Sequence, residues 1–316
     1  MKDHITIGVS ACLLGQKVRF DAGHKQDRYI TDILGGYFKF VPVCPEVEVG
    51  MPTPRESVHL VGDPENPRMV GVKSGEDWTA RMHKYNAERL KRLEKHNLCG
   101  YILKKDSPSC GMERVRVYGD KGMPARNGRG MYASALLAYF PLLPVEEEGR
   151  LQDARLRENF IVRVFAYKRL QDLFGGLYKR GDIITFHARH KYLLLAHSPE
   201  HYRTLGQLAA NIKKYKPAEF IDNYSRLFME TLSVKTTARK NVNVLHHIMG
   251  YLKQNLDASE KKYILDVIED YHKGLVPLVV PVTLIRHYIE KFDIEYIRDQ
   301  IYLNPHPKEL MLRNHV

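Results

Sequence analysis

Three short apolar runs in this chain end alike, and that ending constrains the fold more than any other feature. Ile5–Val9 runs into SACLLG, Phe40–Val43 into CPE, and Gly100–Leu103 into KKDSPSCG. Each run is rich in Ile, Val, Phe or Tyr and reads as a buried strand. Each is followed by a Gly- or Pro-containing turn that carries a cysteine: Cys12, Cys44 and Cys110. Open parallel sheets place their sites just beyond the carboxyl ends of the strands. Three such strands side by side bring three thiols together, although 32 and 66 residues separate them in sequence.

The intervals between the runs support that arrangement. Arg28–Leu34 predicts a short helix stopped by Gly35–Gly36. Asp77–His96 has helical periodicity, with Trp78, Met82, Tyr85, Leu90 and Leu93 on one face. Val58–Gly62 and Met69–Val72 predict a hairpin around residues 63–67. Pro42 before it, with Pro45, Pro52 and Pro54 within it, make CPEVEVGMPTPRE a stiff loop. Arg114–Tyr118 extends an edge, Met131–Phe140 is an apolar helix, and Leu142–Val145 is a last strand. Alternating strand and helix predicts an α/β N-terminal domain, three-layered with a mostly parallel sheet, over residues 1–148.

The charged run Val145–Arg150 marks the expected boundary. Beyond it the pattern is helical, at 153–173, 183–195, 199–211, 217–232, 235–256, 259–273, 281–291 and 293–300. Ser198 before Pro199, Ser259 before Glu260, and Asp182 are the cap signals. Residues 149–316 are therefore expected to form an all-α domain, with a Pro-broken tail wrapping a surface.

No run approaches the ~18 consecutive apolar residues of a membrane span. The first residues, MKDHITIGVS, lack the layout of a signal peptide. Four cysteines in 316 residues without an export signal argue for reduced thiols in the cytoplasm, not a disulfide framework. The net charge of +12 points to an anionic partner, of which nucleic acid is the commonest. Residues 1–150 carry a basic surplus of 4 and residues 151–316 one of 8, so the second half supplies most of that field.

Three thiols in turns suit a metal better than a disulfide. Structural zinc prefers four ligands and close CxxC pairs, and this chain has no CxxC. A catalytic zinc with an open position and an iron–sulfur cluster with an open iron both remain, and spacing does not separate them. The bland alternative is three cysteines buried as small hydrophobes. Cys99 precedes its strand, at the opposite end, and reads as such. Glu46 lies two residues after Cys44, where a carboxylate can position or deprotonate water. Ser107 lies three before Cys110, where a hydroxyl can pass a proton or hold a developing anion. Their plainer readings are a loop carboxylate paired with Arg55 or Arg19, and a turn hydroxyl. Arg19, Arg55 and Lys105 are candidates for a substrate phosphate.

The set SACLLG…VRFDAG, PVCPEVEVGMPTPRE and LKKDSPSCG resembles the TudS-type thiouracil and 4-thiouridine desulfidases, over roughly residues 5–145. The resemblance implies a 4Fe-4S cluster on Cys12, Cys44 and Cys110, with Glu46 and Ser107 as catalytic residues. One small departure is Phe20, where a Tyr is expected. LLLAHSPEHYRTLGQLAA, NVLHHIMGYLKQNL and QIYLNPHPKELMLRN resemble the helical domain fused to this desulfidase in RudS-type proteins, which implies removal of sulfur from 4-thiouridine in tRNA. The helical half offers basic segments at 155–169, 213–216 and 235–240, with Tyr202, Tyr215, Tyr224 and Tyr251 interspersed, a pattern that suits RNA. His246 and His247 point about 100° apart on a helix and do not share one metal easily, so they suit packing or a phosphate. The alternatives are a desulfidase of free thiouracil or of a thiouridine nucleotide, a zinc-containing RNA-binding protein without catalysis, and a thiol redox sensor.

Overall fold

The computed structural model describes residues 5–119 and 123–315. The chain divides into two compact units, Met1–Asp153 and Ala154–Val316.

In the first unit, β1 (Ile5–Ser10), β2 (Phe38–Val43) and a four-residue helix α1 (Pro45–Glu48) are followed by the hairpin β3 (Val58–Val61) and β4 (Arg68–Gly71). Helix α2 (Thr79–Glu94), β5 (Gly100–Leu103), β6 (Val115–Tyr118), β7 (Pro124–Gly128), α3 (Met131–Tyr139) and β8 (Val145–Glu147) complete it. The main sheet has the order β2-β1-β5-β8, and every pair in it is parallel. The chain leaves β1 on one side to form β2 and returns to place β5 on the other. The switch point, where ligand sites form in such sheets, therefore lies between β1 and β5. Its core holds Ile7, Val9, Leu13, Ile30, Leu34, Tyr101 and Tyr132, all fully buried. The Tyr101 ring lies 2.2 Å from where a Cβ on Gly8 would stand, so this close strand pairing needs glycine.

Three expectations are corrected here. Arg114–Tyr118 is not an edge of the main sheet. As β6 it joins a second sheet, ordered β4-β3-β6-β7, because its hairpin partner is β7. The proline-rich stretch after Cys44 is not all loop: Pro45 occupies the first helical turn of α1, the position helices tolerate best. Arg28–Leu34 forms a π turn, Tyr29–Ile33, then a 3-10 turn at Leu34–Gly36. The run Val145–Arg150, read as the boundary, carries the last strand of the main sheet. Val145 pairs with Tyr101, and Glu146, Glu147 and Glu148 are all buried. Each carboxylate has its own partner: Arg150 Nε at 2.5 Å for Glu146, Met112 N at 2.7 Å for Glu147, and Lys105 N at 2.8 Å for Glu148.

The second unit is helical throughout: α4 (Ala154–Phe174), α5 (Arg180–His197), α6 (Pro199–Ala210), α7 (Pro217–Ser233), α8 (Ala238–Leu252), α9 (Ala258–His272), α10 (Val279–Lys291) and α11 (Glu295–Arg298). Ser198 caps α6 by accepting from His201 N. The cap of α9 is Asp257, in a reciprocal pair with Glu260, and not Ser259. Tyr224 is fully buried among Phe174, Phe186, Phe220 and Phe228, so it is core and not an RNA contact. His246 and His247 are exposed, which removes the packing role. The tail does more than wrap: Tyr302, Leu303, Leu310 and Leu312 are buried, and Tyr302 Oη donates to Asn241 Oδ1 at 3.1 Å. No helix among the described residues is long and apolar enough to cross a membrane.

Candidate metal centre

Three adjacent parallel strands, β2, β1 and β5, each hand a cysteine to the carboxyl end of the sheet. Cys12 sits in the 3-10 turn Ala11–Leu14 that directly follows β1, and its carbonyl accepts from Lys25 N at 2.9 Å. Cys44 sits between β2 and α1. Its N–H donates to Glu48 Oε1 at 3.1 Å, and Glu48 Oε2 accepts from Tyr85 Oη on α2 at 2.9 Å. Cys110 sits in the turn after β5. That turn is fastened to the start of α3, whose free N–H groups donate outward: Met131 N to Pro108 O at 3.0 Å and Tyr132 N to Ser109 O at 3.0 Å. A Cβ on Gly130 would stand 2.4 Å from Ser109 O and 2.9 Å from Cys110 N, so the helix approaches this closely only through glycine.

All three cysteines line one cavity of about 320 Å³, together with Ser10, Glu46, Arg55, Lys104 and Ser107. The structure thus brings together every residue singled out in the sequence for this site. Cys99 lies elsewhere, buried at the start of β5.

Each candidate combines its plain and its functional setting. Glu46 Oε2 accepts from Arg55 Nη2 at 2.7 Å and Nε at 3.1 Å, the ion pair expected of a loop carboxylate. The pair is nearly out of water, with side-chain exposures of 5% for Arg55 and 15% for Glu46. Yet Glu46 also faces the cavity, and its Oε1 accepts from Ser109 Oγ at 2.5 Å. Ser107 Oγ accepts from Ser109 N at 3.2 Å and Cys110 N at 3.1 Å. Those bonds occupy its two lone pairs and leave the hydroxyl proton free to be donated.

Sequence reasoning missed Ser10 and Ser109. Ser10 is buried, accepts from Lys104 N at 3.0 Å, and hydrogen-bonds the Cys110 sulfur. Ser109 is completely buried. A hydroxyl two residues before Cys12, or next to Cys110, is the signal that was available.

The thiols are not set up as nucleophiles. Burial, with the nearby Cys44, pushes Cys12 up to about 11. Burial also raises Cys44, and raises Cys110 well above the usual thiol range. Reactive or redox-sensing cysteines need the opposite shift. These sulfurs become thiolates only when a cation takes the proton's place. Among the described residues, no group of three His, Cys, Asp or Glu side chains is close enough to hold one metal ion. Three thiolates on a single zinc at ~2.3 Å would have to crowd together. A polynuclear cluster, with sulfide between its metals, fits an all-thiolate set spread around a cavity.

Residues 7–148 match the 2-thiouracil desulfurase family, and residues 191–307 match DUF1722, a family described as of unknown function. A solved chain described as a [4Fe-4S]-dependent thiouracil desulfidase, TudS, is 34% identical. The likeness covers 94% of that chain and 47% of this one, with a TM-score of 0.39. The uncharacterized protein YbbK of Bacillus subtilis is 33% identical over 108 residues, 71% of its length and 33% of this chain. The chain belongs to the 2-thiouracil desulfurase family. The match runs from within β1 to the end of β8 and includes every residue of the cavity. Membership gives the first unit a desulfidase activity. The uncharacterized protein YbgA of Escherichia coli is 29% identical over 161 residues, 95% of its length and 51% of this chain.

Proposed function

We propose that this protein removes sulfur from 4-thiouridine in tRNA, turning the thiocarbonyl into a carbonyl and releasing hydrosulfide, with Cys12, Cys44 and Cys110 holding a 4Fe-4S cluster. The observation that carries this reading is the convergence of three sulfurs, from neighbouring parallel strands, on a cavity that also holds a clamped carboxylate and a free hydroxyl proton. When bound, such a cluster supplies a soft Lewis acid with a position that no protein ligand fills, suited to a thiocarbonyl sulfur.

The chain's own residues do the rest. Arg55 and Ser109 fix the Glu46 carboxylate on the cavity wall, with Oε2 taken up by Arg55 and Oε1 left able to accept from a water. There Glu46 orients a water and takes its proton as the oxygen attacks the ring carbon. Ser107 gives its proton to the charge that develops on the ring. Water supplies the oxygen; as the carbon–sulfur bond breaks, sulfur leaves as hydrosulfide with the proton that came from Ser107, the water's second proton restores the Ser107 hydroxyl, the first passes from Glu46 to solvent, and no net electron moves. Lys105 and Arg19, on the cavity wall, suit the phosphate of a nucleotide substrate.

The choice of tRNA is supported by the second unit, whose residues carry the larger basic surplus. Its exposed helix faces and the half-exposed Tyr202 and Tyr215 offer phosphate and base contacts. The family's name favours a second substrate, free thiouracil, and a thiouridine nucleotide lies between the two. Anaerobic incubation with thiolated tRNA, 4-thiouridine monophosphate and thiouracil, followed by mass spectrometry of the nucleosides and bases, separates them. The proposal expects tRNA to be desulfurated fastest at equal concentration. Turnover of the free base with intact thiouridine in tRNA would overturn it.

A further inference from the structure

Among the described residues that line the thiol cavity, Phe20 is the one aromatic. The others carry a thiol, a hydroxyl, a charge or a small aliphatic group. The Phe20 side chain is not core: it is 42% exposed. Its backbone, by contrast, is fixed. Arg55 N donates to Phe20 O at 2.9 Å, and Arg55 Nη2 donates to Val18 O at 3.0 Å. Ala22 N closes the turn on Arg19 O at 3.0 Å. The Arg19 guanidinium lies over the Phe20 ring, 5.3 Å from its centre, a distance at which a cation is attracted to the ring.

Arg55 is also the residue that clamps Glu46. One arginine thus holds the loop of the aromatic ring and the carboxylate in register. The two have different reach toward a planar base. Glu46 and Ser107 meet a pyrimidine at its edge, where its polar atoms lie. Neither a carboxylate nor a hydroxyl can cover the face of the ring. Phe20 offers a flat apolar surface, and covering such a surface with another flat ring is favourable whatever polar groups the ring carries.

We propose that Phe20 is the base-stacking residue of this cavity, its ring covering one face of the thiolated pyrimidine and setting the plane in which Glu46 and Ser107 meet it. The inference deepens the desulfidase reading of the same cavity and rests on it. Its consequence is a preference for an aromatic pyrimidine over a saturated one with the same polar groups. 5,6-Dihydrouridine keeps the carbonyls, the N–H and the ribose of uridine, but its ring is puckered.

The test is calorimetric titration of the anaerobically purified full chain with uridine and with 5,6-dihydrouridine. The wild-type protein binds uridine about fivefold tighter or more, as stacking on one aromatic side chain requires. Phe20→Leu keeps apolar bulk without a flat face and brings the two affinities together. Phe20→Tyr keeps the face and the preference. With 4-thiouridine monophosphate as substrate, Phe20→Leu raises KM about tenfold and leaves kcat within about twofold, while iron content stays at the wild-type level. Equal binding of the two nucleosides by the wild type, binding of neither, or an undiminished preference in Phe20→Leu overturns the inference. A wild-type protein that desulfurates its substrate with a KM unchanged by Phe20→Leu also overturns it, and leaves the desulfidase reading standing. A wild-type protein that desulfurates nothing sinks that reading instead, and the nucleoside titrations still decide whether Phe20 stacks a pyrimidine.

Discussion

Glu46 is held from both sides, by Arg55 on Oε2 and by Ser109 on Oε1. A carboxylate so clamped cannot rotate, which is what a water-orienting group needs. Ser109→Ala removes one clamp without touching a thiol. It is expected to lower kcat about tenfold, the worth of a hydrogen bond to a charged acceptor, with little change in KM. Ser109→Thr restores the hydroxyl and should recover part of that loss. Iron content should stay at the wild-type level in both. Steady-state kinetics beside an iron assay checks this, and an unchanged kcat in Ser109→Ala would remove the residue from catalysis. Ser109 was not visible as a partner of Glu46 because 63 residues separate them and only the fold closes that distance. Glu46 and Ser107 were singled out by the motifs that carry the family resemblance, since closeness to a cysteine alone does not set them apart from Ser10 and Ser109.

At the scale of elements, the strand-and-turn reading succeeded where the information was local. A run of β-branched residues meeting a Gly- or Pro-rich turn shows both a strand and its end, and β1, β2 and β5 were legible for that reason. Pairing was not local. Nothing within Val115–Tyr118 says that β7 will draw it into a second sheet. The glutamates at 146–148 look solvated until Lys104, Lys105 N, Met112 N and Arg150 are brought to them. Caps failed by proximity: Asp257 and Ser259 both precede an apolar stripe, and geometry chose the one that reaches Glu260 N, at 2.8 Å. Asp257→Ala should therefore cost about 1 kcal/mol in urea unfolding and Ser259→Ala almost nothing. The reverse order would return the cap to Ser259. The contact between α3 and the Cys110 turn makes a stronger prediction. Gly130→Ala puts a methyl 2.4 Å from Ser109 O, where backbone must yield. It is expected to destabilise the first unit by about 2 kcal/mol and to lower metal loading while helical circular dichroism persists. Full metal loading with unaltered stability would show that the approach of α3 is not needed to place Cys110.

At the scale of the molecule, two units with different chemistry share one chain. The first gathers thiols at the switch point of a parallel sheet. The second packs helices around buried aromatics and neutral imidazoles. Burial holds His197 down at about 4 and His190 at about 3. His197 Nδ1 lies 2.6 Å from Val234 O, tying the end of α5 to the end of α7. Below pH 6.5 the unfolded chain takes up protons that the folded unit refuses, so stability falls as pH drops from about 6.5 toward 4. The slope is about 1.4 kcal/mol per pH unit for each histidine. Urea midpoints of the helical signal at pH 7 and pH 5 test this, and equal midpoints would show that these imidazoles are protonated without cost. The most direct test of the whole account is the iron and acid-labile sulfide content of protein purified without oxygen, for the wild type and for each cysteine changed singly to alanine. The account predicts about four irons and four sulfides per wild-type chain, loss of both in the Cys12, Cys44 and Cys110 variants, and retention in Cys99→Ala. A wild-type chain carrying one zinc, or a Cys99 variant that loses iron as the other three do, would contradict it.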